Sequence, residues 1–180
     1  MNKIKRKNPK PRIYTIVHSN RSINEFLEIL QAYKLKLLVD VRTVPKSLHN
    51  PQFGMTKLKN KLNKHGIEYI HIAELGGFRH AKKDSENDAW RNLSFRGFAD
   101  YMQTEGFLKG LKKLINRLKR KKLVMMCSEA VPWRCHRSLI ADALLIRDIT
   151  AEDIFSPTNH KPHKLTSFAK TKGTKITYPA

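Results

Sequence analysis

Hydrophobic residues in this chain fall into short runs separated by segments with a helical period. Four of these runs are nearly continuous and predict β-strands at 13–17, 35–41, 67–72 and 123–127. Between and after them, amphipathic patterns predict helices at 22–33, 55–65, 95–101, 106–120 and 136–147. A last short strand at 149–155 and a hairpin around Gly173 complete the pattern. This alternation predicts an α/β fold whose mainly parallel sheet is flanked by helices on both faces.

The same pattern divides the chain into a short arm and one domain. Residues 1–12 carry six basic residues, two prolines and no acidic residue, which predicts a disordered basic arm. Residues 13–180 are long enough for a single domain with its own core. Within that domain, residues 78–93 are polar and irregular, which predicts an insertion or a mobile loop.

The net charge says more about possible partners than the overall composition does. The 180 residues are 40% hydrophobic, as in a globular protein, yet 36 Lys and Arg stand against 15 Asp and Glu, a net charge of +21. More than half of the basic residues lie in three segments without acids, 1–12, 109–122 and 156–180. Nucleic acid or another polyanion is therefore an expected partner, the alternative being general solubility. The basic runs contain no interleaved aromatic residues, so they do not predict a stacking platform for single strands.

Several classes of protein are excluded by what the sequence lacks. No apolar stretch is long enough for a transmembrane helix, and no apolar segment follows the basic N-terminus as in a secretory signal. Two cysteines cannot form a disulfide framework and suit a reducing compartment. We therefore expect a cytoplasmic protein with no membrane partner. The sequence does not indicate an oligomeric state.

Candidate chemistry gathers where the predicted strands end. In open α/β sheets, ligands bind beyond the carboxyl ends of the strands. Polar or reactive residues follow each of the four runs, and glycines follow the third. They are His18, Ser19 and Asn20; Asp40, Arg42, Lys46 and Ser47; Gly76 and Gly77; and Cys127, Glu129, Arg134, Cys135, His136 and Arg137.

Cys127 is the sharpest of these candidates. A cysteine that ends a buried strand before a helix N-terminus and basic residues is favoured as a thiolate nucleophile. The arrangement resembles the cysteine–loop–arginine anion cradles of phosphatases and rhodaneses, although the spacing to Arg134 is one residue longer than in the phosphatase signature. The alternative is an inert buried thiol.

The remaining candidates take supporting roles around that cysteine. His18, His136 and Glu129 are the candidate acid–base groups. Six residues are candidate anion ligands, and five are candidate structural residues around the pocket. The anion ligands are Arg42, Lys46, Ser19, Asn20, Arg134 and Arg137, and the structural residues are Asp40, Ser47, Gly76, Gly77 and Cys135. Cys135 is alternatively a resolving thiol for Cys127.

No metal or cofactor site is predicted. Adjacent Cys135 and His136 with a seven-residue gap to Cys127 fit no common zinc spacing. The chain also has no phosphate-binding glycine loop, dinucleotide fingerprint or serine nucleophile elbow.

The motifs together resemble the domain-of-unknown-function 488 family. The resemblance rests on seven segments of the domain and two near the C-terminus: 13–16, 18–20, 38–42, 45–47, 75–77, 126–129 and 135–137, then 165–169 and 176–179. It implies an α/β fold with a shared polar pocket, includes the C-terminal residues in the domain, and supplies no reaction. Val17 departs from the glycine usual in the family, and Lys46 from the frequent arginine.

Two functions of different classes remain open. The first is a thiol-dependent enzyme whose anion-binding pocket takes a phosphate- or sulfur-bearing group, either a small molecule or part of a nucleic acid. The second is a non-catalytic nucleic-acid-binding protein in which the same cluster is structural. Both accommodate the positive charge, and only the chemistry of the thiols separates them.

Overall fold

A six-stranded sheet forms the centre of the protein. The computed structural model describes residues 10–128 and 135–180, and every element named below belongs to those residues. The strands are β1 (Arg12–Val17), β2 (Leu37–Asp40), β3 (Glu68–His71), β4 (Leu123–Cys127), β5 (Thr150–Ser156) and β6 (Asn159–Pro162). Their spatial order is β3-β2-β4-β1-β5-β6, and β6 alone among them pairs antiparallel.

Helices cover both faces of this sheet. They are α1 (Ile23–Ala32), α2 (Met55–Asn63), α3 (Leu93–Tyr101), α4 (Glu105–Leu118) and α5 (Arg137–Leu145). α1 and α2 contribute buried side chains to the hydrophobic cluster on one face, whereas α3, α4 and α5 contribute to the cluster on the other. The predicted fold class, a mainly parallel sheet with helices on both faces, is therefore confirmed.

The two central strands show why the apolar runs in the sequence are continuous. Every residue of β2 and β4 is buried. Along β4, Met125 and Cys127 face the α3–α5 side, while Val124 and Met126 face the α1–α2 side. Because both faces are covered, neither set of alternating positions can be polar.

Local sequence sets where the first helix begins. Ser22 caps α1 by accepting the backbone N–H of Glu25, and the Glu25 carboxylate accepts the N–H of Ser22 in return. This reciprocal capping box satisfies two of the otherwise unpaired amides of the first turn. The helix predicted to begin at Ser22 therefore begins directly after this capping residue, at Ile23.

The C-terminal quarter contains one strand that the pattern did not predict. All four residues of β6 are exposed, so the strand carries no hydrophobic signature. The hairpin predicted around Gly173 is confirmed as β7 (Lys170–Lys172) and β8 (Lys175–Thr177), and Gly173 adopts a φ of +59° in the turn. After the hairpin, Tyr178 is buried against the α3–α5 face of the core.

The topology creates a crevice between two neighbouring strands. β1 and β4 lie side by side, with Val17 paired to Cys127. The chain leaves β1 for α1 on one face and leaves β4 for α5 on the other. Such a divergence opens the carboxyl edge of a sheet to ligands. Within residues 10–128 and 135–180, every helix is too short or too polar to span a bilayer.

Candidate active site at the carboxyl edge of the sheet

A cavity of about 430 Å³ lies at the carboxyl edge of β2 and β4. Its lining combines a thiol, an imidazole and two cationic side chains with an exposed hydroxyl and a glycine. The residues concerned are Arg42, Lys46, Gly77, Cys127, Ser128 and His136. The structure thus brings residues from three of the four predicted clusters into one cavity.

Arg137 lies beneath this cavity and organises the two thiols. It is the first residue of α5, and only 1% of its surface is exposed. Its Nε donates a hydrogen bond to Cys127 Sγ at 3.0 Å, its Nη1 donates to Thr15 Oγ1, and its backbone N–H donates to Cys135 Sγ at 3.5 Å. Among the described residues, no carboxylate forms an ion pair with its guanidinium, and Nη2 has no hydrogen-bond partner.

The two thiols are both in contact with Arg137 and differ in acidity. Burial raises the pKa of the Cys127 thiol, and its hydrogen bond to Cys135 raises it further. Burial also opposes ionisation of Cys135, but the hydrogen bond from Cys127 and the charge of Arg137 outweigh it and lower the pKa of Cys135 to about 7. The pair therefore holds one negative charge near neutral pH, adjacent to Arg137.

His136 is held in one tautomer by the end of β2. Its Nε2 lies 3.0 Å from the carbonyl oxygen of Val41, an acceptor only, so Nε2 carries the proton and donates it. Nδ1 is then an acceptor, and Cys135 Sγ lies 3.8 Å from it. Burial lowers the pKa of His136, which keeps the ring neutral. The ring is thus arranged to accept a hydrogen bond from Cys135 whenever that thiol is protonated.

Two glycines allow this ring and the neighbouring loop to approach closely. A Cβ on Gly77 would come within 2.5 Å of His136 Nδ1, and a Cβ on Gly76 within 2.7 Å of the Thr43 backbone. Since atoms cannot pack that closely, larger residues here would displace the imidazole or the loop that follows β2. These close contacts suit the structural role that was predicted for Gly76 and Gly77.

Arg42 is paired differently from Arg137. Its Nη2 contacts Asp40 Oδ2 at 2.5 Å and its Nε contacts Asp40 Oδ1 at 2.9 Å, a bidentate ion pair. Tyr69 donates its hydroxyl to the same carboxylate at 2.8 Å. Although burial opposes it, the hydrogen bonds to Asp40 raise the pKa of Arg42. Its buried Nη1 has no partner among the described residues.

His18 and its neighbours lie at the same edge but outside the residues that line the cavity. The His18 ring stacks on Phe53 with centroids 4.3 Å apart, and its Nδ1 lies 2.9 Å from the Ser19 carbonyl oxygen. Burial lowers the pKa of His18 to about 4, so the ring is neutral at physiological pH. Ser19 takes a left-handed φ of +46° and its hydroxyl lies 3.4 Å from Asn20 Oδ1, with Asn20 exposed.

The other predicted site residues fall into three groups. Lys46 is exposed at the cavity, whereas Ser47 uses its hydroxyl to accept the backbone N–H of Asn50 and so shapes the loop after β2. Glu129 and Arg134 lie outside the residues that the structure describes.

Sequence reasoning missed the polar residues that extend from Arg137 across the sheet. Thr15 Oγ1 donates to Asp153 Oδ1 at 2.6 Å, and Asp153 lies 3.8 Å from the His163 ring. His163 Nε2 lies 2.8 Å from Asp142 Oδ1. Burial opposes protonation, yet the two carboxylates raise the pKa of His163 to about 9. The available signal was Thr15 itself, a hydroxyl within an otherwise apolar strand.

The fold and the site together define a class of protein. It is an open α/β protein with a polar, thiol-containing cavity at the carboxyl edge of a mainly parallel sheet. The chain belongs to the family described as Domain of unknown function DUF488, whose profile matches residues 22–144, more than half of the chain. The predicted family is therefore confirmed.

The matched range covers the cavity residues but leaves part of the edge outside. His18, Ser19, Asn20 and residues 145–180 lie beyond it. No curated protein and no solved structure matched the chain.

Proposed function

We propose that this protein is a thiol-dependent enzyme acting on an anionic group that carries phosphorus or sulfur. One observation carries the proposal: a buried guanidinium, Arg137, has two thiols as neighbours and no carboxylate ion pair among the described residues. A buried charge is stable only when it is paired, because the protein interior solvates it poorly. Asp153 acts on Arg137 only at longer range, through Thr15, so the thiol pair supplies the negative charge that contacts the guanidinium directly.

Cys127 is the nucleophile in this proposal. It lines the cavity, whereas Cys135 lies behind it against His136 Nδ1. When the proton of Cys127 passes to Cys135, the thiolate is left at Cys127 next to Arg137 Nε. A thiolate, not a thiol, is the reactive form of cysteine.

The reaction class follows from the groups that surround this sulfur. Cys127 Sγ donates an electron pair to the phosphorus or outer sulfur atom of the substrate and forms a bond to it. The bond to the leaving group breaks at the same centre, and the leaving atom takes that electron pair. Arg42 Nη1, which has no partner among the described residues, and the exposed ammonium of Lys46 are the cations available to the substrate's negative oxygens.

Alkylation by iodoacetamide as a function of pH tests the proposal directly. Because the thiols are proposed to share one proton, we expect modification of Cys127 to follow ionisation of the pair, which is set by the pKa of Cys135 at about 7, below the ordinary cysteine value of about 8.5. Cys127→Ser removes the modification. Cys135→Ser moves the apparent pKa of Cys127 upward, because the partner that takes its proton is gone. Mass spectrometry of the digested protein identifies the modified residue in each variant.

Two outcomes of this experiment contradict the proposal. One is that both cysteines stay unmodified until the protein is unfolded by denaturant. The other is that modification follows the ordinary thiol pKa in the wild type and in Cys135→Ser alike. Either result leaves the buried, inert thiols that the sequence also allowed.

A further inference from the structure

A second concave surface continues from the candidate active site. It is a groove of about 630 Å³, and it shares Phe78 and Ser94 with the cavity that contains Cys127. We call it the Phe78 groove. Its walls are formed by the segment after Gly77 and by the start of α3. A chain-like ligand lying in this groove would lead directly to the thiol.

The cations of the Phe78 groove form no ion pair with a carboxylate within the described residues. Its cationic side chains are Arg79, Lys82, Lys83 and Arg96. The described ion pairs involve other cations, such as Lys113 with Glu74 and Lys121 with Glu68. The basic segment 109–122 is thus partly neutralised by direct ion pairs, whereas the groove cations have none and Asp100 acts on Lys82 only at longer range. A polyanion gains more from the groove for that reason.

The two arginines of the groove are held in place before any ligand binds. Arg79 donates its Nε to the Gly76 carbonyl at 3.1 Å, and its guanidinium carbon lies 3.5 Å from the centre of the Tyr101 ring. Arg96 donates Nε to the Trp90 carbonyl and Nη2 to the Asp88 carbonyl, both at 3.0 Å. These carbonyls orient the charge without cancelling it, which lowers the entropic cost of binding an anion.

Phe78 adds a feature that a simple phosphate site does not need. It is 80% exposed, although burying a phenylalanine side chain normally stabilises a protein by about 1.5–3 kcal/mol. It stands at the junction of the groove and the cavity, between cationic side chains on one side and Cys127 on the other. An exposed aromatic ring among cations is suited to stacking with a nucleobase.

Packing of α3 holds the groove in shape. A Cβ on Gly97 would lie 2.5 Å from the Arg79 carbonyl oxygen, so only glycine lets α3 approach this segment so closely. Asp100 of α3 accepts the backbone N–H of Lys82 at 2.8 Å and the hydroxyl of Ser85 at 2.6 Å. The irregular segment that follows Gly77 is therefore anchored to a helix.

We infer that the Phe78 groove binds single-stranded nucleic acid, with a base stacked on Phe78 and phosphates contacting Arg79, Lys82, Lys83 and Arg96. Bases in a duplex are already stacked and cannot offer a free face, so the occupant is a single strand. This inference rests on the proposed function, and it identifies the anionic substrate as part of a nucleic-acid strand delivered to Cys127.

Fluorescence anisotropy with a short labelled oligonucleotide tests the inference on the full chain. Single-stranded DNA and single-stranded RNA of one sequence are compared with the duplex, and inorganic polyphosphate is added as a competitor without bases. We expect Phe78→Ala to weaken single-strand binding about tenfold, in the range of one lost base–aromatic stack. Leu48→Ala, at another apolar side chain that is 93% exposed, is the matched control and leaves affinity unchanged.

The charge of the groove is tested by salt dependence. Replacing Lys82 and Lys83 together with alanine removes two phosphate contacts, so the slope of log affinity against log salt falls by about 1.4 for a single strand. The double variant Lys170→Ala/Lys172→Ala, on the exposed hairpin strand β7, is the control and alters the slope less.

Several outcomes would overturn the inference. They are tighter binding to the duplex than to the single strand, equal competition by polyphosphate and by unlabelled single strand, and affinity unaffected by Phe78→Ala. The cysteine variants separate this result from the proposed function, since Cys127→Ser leaves the groove intact and should bind the strand as tightly as wild type. Reactive thiols with no strand binding would overturn the groove alone, whereas strand binding with inert thiols would overturn the enzyme.

Discussion

Arg42 and Arg137 lie at the same edge of the sheet, and both are buried, but their charges are balanced in different ways. Arg42 forms a bidentate ion pair with Asp40, and Tyr69 donates a further hydrogen bond to that carboxylate. Arg137 contacts Cys127, Cys135 and Thr15, with no carboxylate ion pair among the described residues. Arg42 has a carboxylate as its partner, whereas Arg137 has two thiols, of which Cys135 has a pKa of about 7.

This difference separates an ion pair with a fixed counterion from the contact that the proposed reaction uses. Asp40 accepts hydrogen bonds from four groups, the backbone N–H, Nε and Nη2 of Arg42 and the hydroxyl of Tyr69, so the pair it forms with Arg42 serves to hold the loop after β2 in place. The negative charge next to Arg137 is carried by sulfur, which can leave that role by attacking a substrate. Arg137 then remains to stabilise whatever anion replaces the thiolate.

The largest predicted effect concerns the buried ion pair between Asp40 and Arg42. Asp40→Asn leaves Arg42 buried without its counterion, and breaking a buried pair from one side costs about 3–5 kcal/mol. We expect the free energy of unfolding, measured by urea denaturation, to fall by that amount. The matched control is Asp148→Asn, which breaks the exposed pair with Lys10 and leaves the free energy of unfolding nearly unchanged, because solvent screens that pair. Equal losses in the two variants would mean that Arg42 is not dependent on Asp40.

The second prediction concerns the other arginine and a change in acidity. Arg137→Met removes the positive charge while leaving the thiols buried, so the pKa of Cys135 rises from about 7 to above the ordinary cysteine value of about 8.5. Thiolate ultraviolet absorbance as a function of pH measures the change. Arg42→Met is the control, and it leaves the thiol titration in place. An unchanged titration in Arg137→Met would show that the guanidinium does not hold the thiolate.

From the sequence, it was possible to predict which residues meet at the carboxyl edge of the sheet, but not which of their side chains are hydrogen-bonded to each other. Continuous apolar runs such as 35–41 identify buried strands, and parallel topology then requires their carboxyl ends to meet. That reasoning brought Arg42, Cys127 and His136 to one cavity. It did not show that Asp40 neutralises Arg42, because hydrogen-bonding partners depend on side-chain directions that a strand pattern leaves undefined.

Other features escaped the sequence because their signals are weak or long-range. Thr15 and Asp153 are hydrogen-bonded at 2.6 Å although they are far apart in the chain, and only strand order makes them neighbours. β6 is exposed along its whole length, so no hydrophobic period marks it. Phe78 follows two glycines in a polar segment, and its exposure depends on how α3 packs against the residues after it.

A third prediction uses pH to separate the thiol from a fixed anion. The pKa of Cys135 is about 7 when the protein is folded and about 8.5 when it is unfolded, so its ionisation stabilises the folded state. That contribution, about 2 kcal/mol, is fully present above pH 8.5 and is lost as pH falls through 7. We expect the stability difference between wild type and Cys135→Ala to grow by most of that amount, about 1.5 kcal/mol, from pH 6.5 to pH 8.5.

Taking the difference between variants is necessary because His163 acts in the opposite direction. Its pKa is raised to about 9, so its stabilising contribution is present below the unfolded value of about 6.5 and is lost as pH rises through 9. The His163 contribution is common to both proteins and cancels in the comparison. A difference that does not vary with pH would contradict the shared thiolate.

The smallest predicted effect tests whether Asp153, which is joined to Arg137 through Thr15, also neutralises the charge of that arginine. Thr15→Val has nearly the same shape but removes the hydroxyl that joins Arg137 Nη1 to Asp153. We expect the loss of a net hydrogen bond, about 1 kcal/mol in urea denaturation, because Asp153 keeps its contact with His163. The thiol titration should remain near pH 7, since the sulfur contacts of Arg137 are unaffected. If the titration instead moved together with stability, Asp153 would be the counterion of Arg137, and the two arginines would resemble each other after all.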